Sequence, residues 1–76
     1  MKYKLGNKEG NGLCRVIALI DFSDVKAGEI GGYVGGEENL SQEDDCWVYE
    51  NTLVYENAKV SGNALVCGTI LDGESV

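Results

Sequence analysis

A valine recurs at every sixth position in the C-terminal half of the chain, at Val48, Val54, Val60 and Val66. A small or β-branched residue follows four positions after each valine, in the column Thr52, Ala58, Ala64 and Ile70. An amphipathic helix would space its apolar residues by three and four, and a flat strand would alternate at two. The six-residue period therefore predicts short strand steps joined by tight corners, at which Asn and Gly tolerate positive φ.

The same phase can be followed towards the N-terminus. Counting back by sixes from Thr52 gives three apolar residues, Cys46, Leu40 and Val34. Counting back from Val48 gives Gln42, Gly36 and Ile30, which fit an apolar column less well. The sequence therefore predicts a repeat over residues 30–71, strongest over 48–71, with one inward column that persists throughout.

These hexads resemble the hexapeptide-repeat proteins that fold as a left-handed parallel β-helix. In that family three hexads form one triangular coil, so residues 18 apart stack. The resemblance implies about two coils. It also implies three stacks: Ile30 under Val48 under Val66, Cys46 under Ala64, and Val34 under Thr52 under Ile70.

A second resemblance covers more of the chain. The run DFSDVKAGEIGGYV, followed by ENLSQEDDCWVYEN, looks like the start of small hexapeptide-repeat proteins found in phage and prophage regions. The resemblance implies a phage-type protein that acts in the cytoplasm of a host cell.

The N-terminal third has a different pattern, with a short alternating segment at residues 2–5 and a longer apolar one at 13–20. Between them, Gly10-Asn11-Gly12 contains the Asn-Gly pair that favours a type I′ hairpin. We expect one all-β domain over residues 1–76, with a capping hairpin at 1–22, a connection at 23–29, the solenoid at 30–71 and a tail at 72–76. The tail has few polar residues, so the last coil is open to pairing with another chain.

Charge is distributed unevenly over a chain whose formal net charge is −7. Residues 1–36 carry five bases and four acids, whereas residues 37–76 carry nine acids and one base, Lys59. Five of the acids lie within nine residues: Glu37, Glu38, Glu43, Asp44 and Asp45. Such a surface repels nucleic acids and membranes. The run is either a solubilising face or a contact for a protein partner with a basic surface.

The cysteines and the absence of histidine exclude several kinds of site. Cys14, Cys46 and Cys67 are odd in number, with no C-x-x-C pair and no His to complete a zinc site. We therefore predict reduced thiols, no metal and no cofactor, as is usual in the cytoplasm. No apolar run approaches the ~20 residues that cross a bilayer, and residues 1–10 lack the apolar segment of a signal peptide.

In this register the residues that flank each valine point outwards, which predicts an apolar and aromatic surface. Trp47 would lie beside Leu65, and Tyr49 beside Cys67, while Leu53, Tyr55 and Leu71 would share the next face. Exposed clusters of this kind mark interfaces, so they predict self-association as a dimer or trimer, or binding of a partner. The alternative is that the hairpin or a neighbouring loop covers them.

The expected function is binding rather than catalysis. Many hexapeptide-repeat proteins are acyltransferases that use a His as general base, and this chain has none, which leaves only carboxylates such as Glu50 and Glu56. We expect an inhibitor of a host defence or nucleic-acid-handling protein. The predicted contact residues are Trp47, Tyr49, Leu53, Tyr55 and Leu65, together with Glu50, Glu56 and the acidic run, whose carboxylates would replace phosphates.

Two further functions remain open from the sequence. One is a homo-oligomeric structural protein that assembles through the open last coil. The other is capture of a small ligand in a cleft between subunits, where an anion would depend on Lys26, Arg15 or backbone amides.

Overall fold

The computed structural model describes residues 1–55 and 57–76, most of which lie in strands and turns. The strands are β1 (Tyr3–Lys8), β2 (Cys14–Ala18), β3 (Ile30–Val34), β4 (Trp47–Val48), β5 (Leu53–Tyr55), β6 (Leu65–Val66) and β7 (Ile70–Asp72). A 3₁₀ turn spans Glu37–Asn39. The all-β class is therefore confirmed. Within the described ranges, the chain has no helix with the length and apolar character to span a membrane.

From β3 onwards the chain runs through three parallel ladders in a fixed order. The first ladder joins β3, β5 and β7. The second ladder joins Leu40 to Val60 and continues through the pairing of Lys59 with Ser75. The third ladder joins β4 to β6. Because each ladder is revisited in turn, the described residues after position 30 coil around three faces.

The interior of this coil is filled by the residues of the six-step columns. Val48, Val54 and Val60 are buried, as are Thr52 and Ala58 in the second column. The upstream members of that column are buried too, namely Cys46, Leu40 and Val34. The prediction of inward-facing columns is confirmed for these residues. It is wrong for Ile30, whose side chain is 51% exposed.

The corners between ladders differ in length, so the predicted 18-residue stacking holds on the third ladder only, where Trp47 pairs with Leu65. On the first ladder Val34 pairs with Val54, and Val54 with Leu71. The predicted stack of Val34, Thr52 and Ile70 is therefore wrong. A shift of one residue turns a strand side chain to the opposite face. Leu71 consequently points inwards, and Ile70 is 63% exposed.

An antiparallel hairpin of β1 and β2 extends the first ladder, because β2 pairs with β3. The resulting five-stranded sheet has the order β1-β2-β3-β5-β7. At the hairpin tip the Gly12 N–H donates to the carbonyl of Glu9 over 2.9 Å, and Gly12 has φ +83°. Asn11 does not have positive φ, which a type I′ turn requires at both central residues. The predicted type I′ turn is therefore wrong, and a three-residue loop with Gly12 in the left-handed region replaces it.

The largest core side chain, Trp47, lies where the hairpin meets the coil. The centroid of the Phe22 ring lies 5.3 Å from that of the Trp47 ring, with 74° between the ring planes, and the Tyr3 ring lies 6.4 Å away at 69°. Both contacts are edge-to-face, an arrangement that aromatic pairs favour. A Cβ at Gly31 would lie 2.7 Å from Cζ2 of Trp47 and 2.8 Å from Cγ2 of Val16. Glycine at position 31 therefore provides the space into which the indole packs.

We expect Gly31→Ala to lower the free energy of unfolding by about 2 kcal/mol or more, because the added methyl overfills a packed core. Urea denaturation measures this loss. The chain has one tryptophan, so a red shift of its fluorescence would report displacement of Trp47. Gly10→Ala is the matched control, since a Cβ there meets nothing within 4 Å. Equal stability of the two variants would contradict the close packing at Gly31.

Candidate functional site

Trp47 is not a surface anchor, because its side chain is 0% exposed. Consecutive strand residues point to opposite sides, so Val48 faces the coil interior and Trp47 faces away from it. Phe22 and Tyr3 cover the Trp47 side. The prediction that Trp47 is exposed is therefore wrong, and the alternative, cover by the hairpin and a neighbouring loop, is the arrangement found.

Tyr49 is half-buried and is held by the loop before β3. Its hydroxyl donates to Oδ1 of Asp24 over 2.8 Å. Burial, with this hydrogen bond as the second cause, raises the pKa of Tyr49 to about 12. Near neutral pH the group is therefore a protonated donor that already has an acceptor.

A shallow groove of about 660 Å³ runs along one corner of the coil beside Tyr49. It is lined by Gly28, Glu29, Ile30, Tyr49, Glu50, Asn51, Cys67 and Gly68. The lining contains two carboxylates and neither Lys nor Arg, which disfavours an anionic ligand. The nearby Arg15 lies beside one of these carboxylates, with Nη2 3.9 Å from Oε2 of Glu50, and its guanidinium lies 4.5 Å from the Tyr33 ring.

The acidic surface consists of Glu37 and Glu38 on the 3₁₀ turn and Glu43, Asp44 and Asp45 on the following loop, all exposed. A buried lysine shapes this loop. Nζ of Lys2 donates to the carbonyl of Cys46 over 2.7 Å, and lies 3.3 Å and 3.4 Å from the carbonyls of Asp44 and Glu43. Because the backbone carbonyls turn inwards to the ammonium group, the loop can present its carboxylates to solvent.

The hairpin end of the molecule is closed by side-chain hydrogen bonds. Oε1 of Gln42 accepts from the backbone N–H groups of Lys2 and Tyr3 over 2.9 Å and 3.1 Å. Nε2 of Gln42 donates to the carbonyl of Tyr3 over 3.1 Å. The amide thus satisfies the backbone groups of Tyr3 at the start of β1, which is an edge strand of the five-stranded sheet.

At the opposite end of the coil, the last layer of the described residues is less buried. Along the second ladder the exposed fraction rises from 0% at Leu40 and 1% at Val60 to 47% at Val76. Leu65 on the third ladder is 49% exposed, and β7 forms the outer edge of the five-stranded sheet. We define the open end as Leu65, Val66, Ile70, β7 and Val76. It combines apolar side chains with strand edges at which no further strand is paired among the described residues.

The remaining predicted contact residues are scattered rather than gathered into one site. Leu53 and Tyr55 are half-buried on β5, and Glu50 is exposed at the corner after β4. Glu56 lies outside the described residues. Leu65 lies opposite Trp47 as predicted.

Sequence reasoning missed Ile70 and Val76 at the open end. Their exposure could have been predicted only with the actual number of residues in each corner between ladders. Lys2 and Gln42, which shape the closed end, lie about 40 residues apart in sequence and show no local signal.

Within the described part of the chain, no group of three or more His, Cys, Asp or Glu side chains is arranged to hold a metal ion.

The sequence has a partial relative. A stretch of 45 residues, 59% of this chain, is 44% identical to a protein of Escherichia coli (strain K12) named uncharacterized acetyltransferase YdcK. That stretch covers 14% of the length of the relative, so this chain is similar to a small part of it. No protein-family model matches the sequence.

The raised pKa of Tyr49 predicts a loss of stability at alkaline pH. In the unfolded chain tyrosine loses its proton near pH 10, whereas the folded chain holds it until about 12. The free energy of unfolding should therefore fall as pH rises between these values, since the unfolded state releases its proton first. Tyr49→Phe should make the fall shallower, as measured by urea denaturation across this range. Burial also raises the pKa of Tyr3, so a smaller fall remains in the variant. Equal slopes would contradict the assignment.

Proposed function

We propose that this chain is a non-enzymatic protein-binding module: a short left-handed parallel β-helix that is closed at its hairpin end and binds protein through its open end. One observation carries the proposal. Along the second ladder, the exposed fraction rises from 0% at Leu40 and 1% at Val60 to 47% at Val76 in the last layer. A solenoid end that exposes core residues and strand edges needs a cap or a partner.

The β-helix interpretation is supported by the order of the ladders. Three parallel ladders are visited in turn, and residues of the six-residue columns supply most of the interior. This is the arrangement expected of the hexapeptide-repeat family. The left hand of the coil is taken from that resemblance.

A binding role accounts for the chemistry of the surface better than acyl transfer does. The name of the partial relative is that of an acetyltransferase, but the chain corresponds to only 14% of that protein. A general base needs a pKa near the working pH, and the chain contains no His. In the corner groove, Tyr49 has a pKa of about 12 and remains protonated, while Glu50 is exposed.

The acidic surface favours a second candidate function, inhibition of a basic host protein. Glu37, Glu38, Glu43, Asp44 and Asp45 are all exposed, in a half of the chain with nine acids and one base. Carboxylates on a rigid support can occupy a channel that otherwise holds phosphates. In this version the protein blocks a nucleic-acid-handling or defence protein of the host. Trp47 has no part in the contact because it is buried.

The first proposal requires that the open end accept another layer of strands. We expect that inserting a second copy of residues 48–65 between Leu65 and Val66 gives a folded protein with a higher free energy of unfolding, because the added coil contributes another layer of core residues, the copies of Val48, Val54 and Val60, which are buried in the parent chain. The denaturant dependence should also steepen, since more surface is exposed on unfolding.

The control for this insertion is the same 18 residues in scrambled order, which preserves length and composition. Urea denaturation of both proteins makes the comparison. If the repeated coil is no more stabilising than the scrambled one, the ladders do not continue as proposed.

The second proposal depends on charge. We expect the parent protein to retain basic nucleic-acid-binding proteins from a host lysate at low salt and to release them at moderate salt. A variant with Gln at positions 37, 38 and 43 and Asn at 44 and 45 should not retain them. Ile70→Lys, which changes only the open end, should behave as the parent. Capture that survives neutralisation of the five carboxylates would contradict the inhibitor function.

A further inference from the structure

The tip of the β1–β2 hairpin carries a reactive pair of residues that the proposed binding function does not use. Asn11 and Gly12 are both exposed there, and Asn11 is the one asparagine in the sequence that precedes a glycine. The side chain of an asparagine reacts with the backbone nitrogen that follows it when the two close a five-membered ring. Glycine favours this closure, because no Cβ crowds the attacking nitrogen.

The loop holds the Asn11 side chain folded back over the Gly12 peptide. The Leu13 N–H donates to Oδ1 of Asn11 over 3.0 Å, the Asx-turn arrangement in which a side-chain carbonyl takes the place of a backbone one. The ring closed by this hydrogen bond contains both Cγ of Asn11 and the Gly12 nitrogen, so the two reacting atoms are kept close together. The same N–H would stabilise Oδ1 as negative charge develops on it during the attack.

One contact at the tip opposes the reaction. The Gly12 N–H donates to the carbonyl of Glu9 over 2.9 Å, and this bond must open before the nitrogen attacks. One such hydrogen bond slows a step that breaks it by about tenfold or less. A Cβ at Gly12 would meet nothing within 4 Å, so the loop has room to move as the ring closes. The opposing contact therefore slows the closure without preventing it.

We infer that Asn11 is a self-modification site, which loses ammonia to the Gly12 nitrogen in the folded protein. Hydroxide removes the proton of the Gly12 N–H, and the nitrogen forms a bond to Cγ while the carbonyl π electrons move to Oδ1. Collapse of this tetrahedral species breaks the bond from Cγ to Nδ2, which takes a proton from water and leaves as ammonia. Water then opens the succinimide at either carbonyl, which gives aspartate or isoaspartate at position 11. The net reaction consumes one water and releases one ammonia.

The product changes the charge of a second hollow, which lies where the hairpin tip meets the coil. Asn11 lines this hollow of about 470 Å³ together with Glu38 and Tyr55. Among the described residues of its lining, Glu38 is the charged one, so the new carboxylate doubles the negative charge there. The isoaspartate form also adds a methylene to the main chain of the three-residue loop. The reaction therefore extends the acidic surface onto the hairpin.

Peptide mapping by mass spectrometry of the full chain, after prolonged incubation, tests the inference. Asn57 and Asn63 are matched internal controls, because both are exposed but precede alanine. Asn11 should convert at least about tenfold faster than either of them, since the alanine Cβ crowds the nitrogen. The rate should rise about tenfold between pH 7 and pH 8, because the attacking form is the deprotonated nitrogen. Isoaspartate should accompany aspartate, since only a ring intermediate yields both.

Two comparisons separate the role of the folded loop from that of the dipeptide. Conversion at Asn11 in the folded protein should lie within about tenfold of its rate in the urea-unfolded chain, because one hydrogen bond opposes it. Gly12→Asn should slow conversion at Asn11 by about tenfold, because asparagine tolerates positive φ but adds a Cβ beside the nitrogen. Circular dichroism verifies that this variant folds. Asn11→Gln, whose longer side chain must close a larger ring, serves if it does not.

Three results would overturn the inference. One is conversion at Asn57 or Asn63 that is as fast as at Asn11. Another is conversion in urea with none in the folded protein, which would mean that the tip protects Asn11. The third is a product that contains aspartate alone, which would mean direct hydrolysis without attack by the Gly12 nitrogen.

Discussion

The packing of Trp47 against the hairpin joins the two parts of this molecule. The indole comes from the third ladder of the coil, and Tyr3 and Phe22 cover it from the N-terminal segment. Burying about 200 Å² of such a side chain contributes about 5 kcal/mol, comparable to the whole stability of a small domain. The indole N–H finds no hydrogen-bond partner among the described residues, so packing rather than hydrogen bonding provides this contact. The hairpin and the coil therefore depend on each other to fold.

The sequence predicts the interior of the coil well because its period is set by the strands themselves. Val54 and Val60 lie six residues apart with a corner between them, and both are buried as expected. The corners follow a weaker rule, since a turn can gain or lose a residue at little cost to the strands beside it. One corner before β7 is shorter than the repeat predicts, which exchanges the faces of Ile70 and Leu71. The six-residue period thus predicts which positions are apolar, but it does not predict the register in which one coil stacks on the next.

The candidate site was predictable only in part, for a related reason. Charged residues in an irregular segment remain solvated, so the exposure of Glu43 and Asp45 follows from the sequence. The position of Trp47 does not, because strand alternation assigns it to the side facing away from the coil and cannot show that a distant hairpin covers that side. The hairpin reaches the coil through Lys2 and Gln42, whose partners lie about 40 residues apart in sequence. No local pattern encodes such contacts.

The two ends of the coil differ in how their strand edges are covered and in the charge that lies nearby. At the closed end, the Gln42 amide and the Lys2 ammonium bind backbone groups directly, so the acidic surface nearby is free to carry uncompensated charge. At the open end the side chains are apolar and acids are few, so neither polar cover nor strong repulsion protects β7. An edge left this way would promote indiscriminate aggregation on a neutral protein. On this chain the net charge of −7, which lies mainly in residues 37–76, opposes such aggregation through repulsion between like charges.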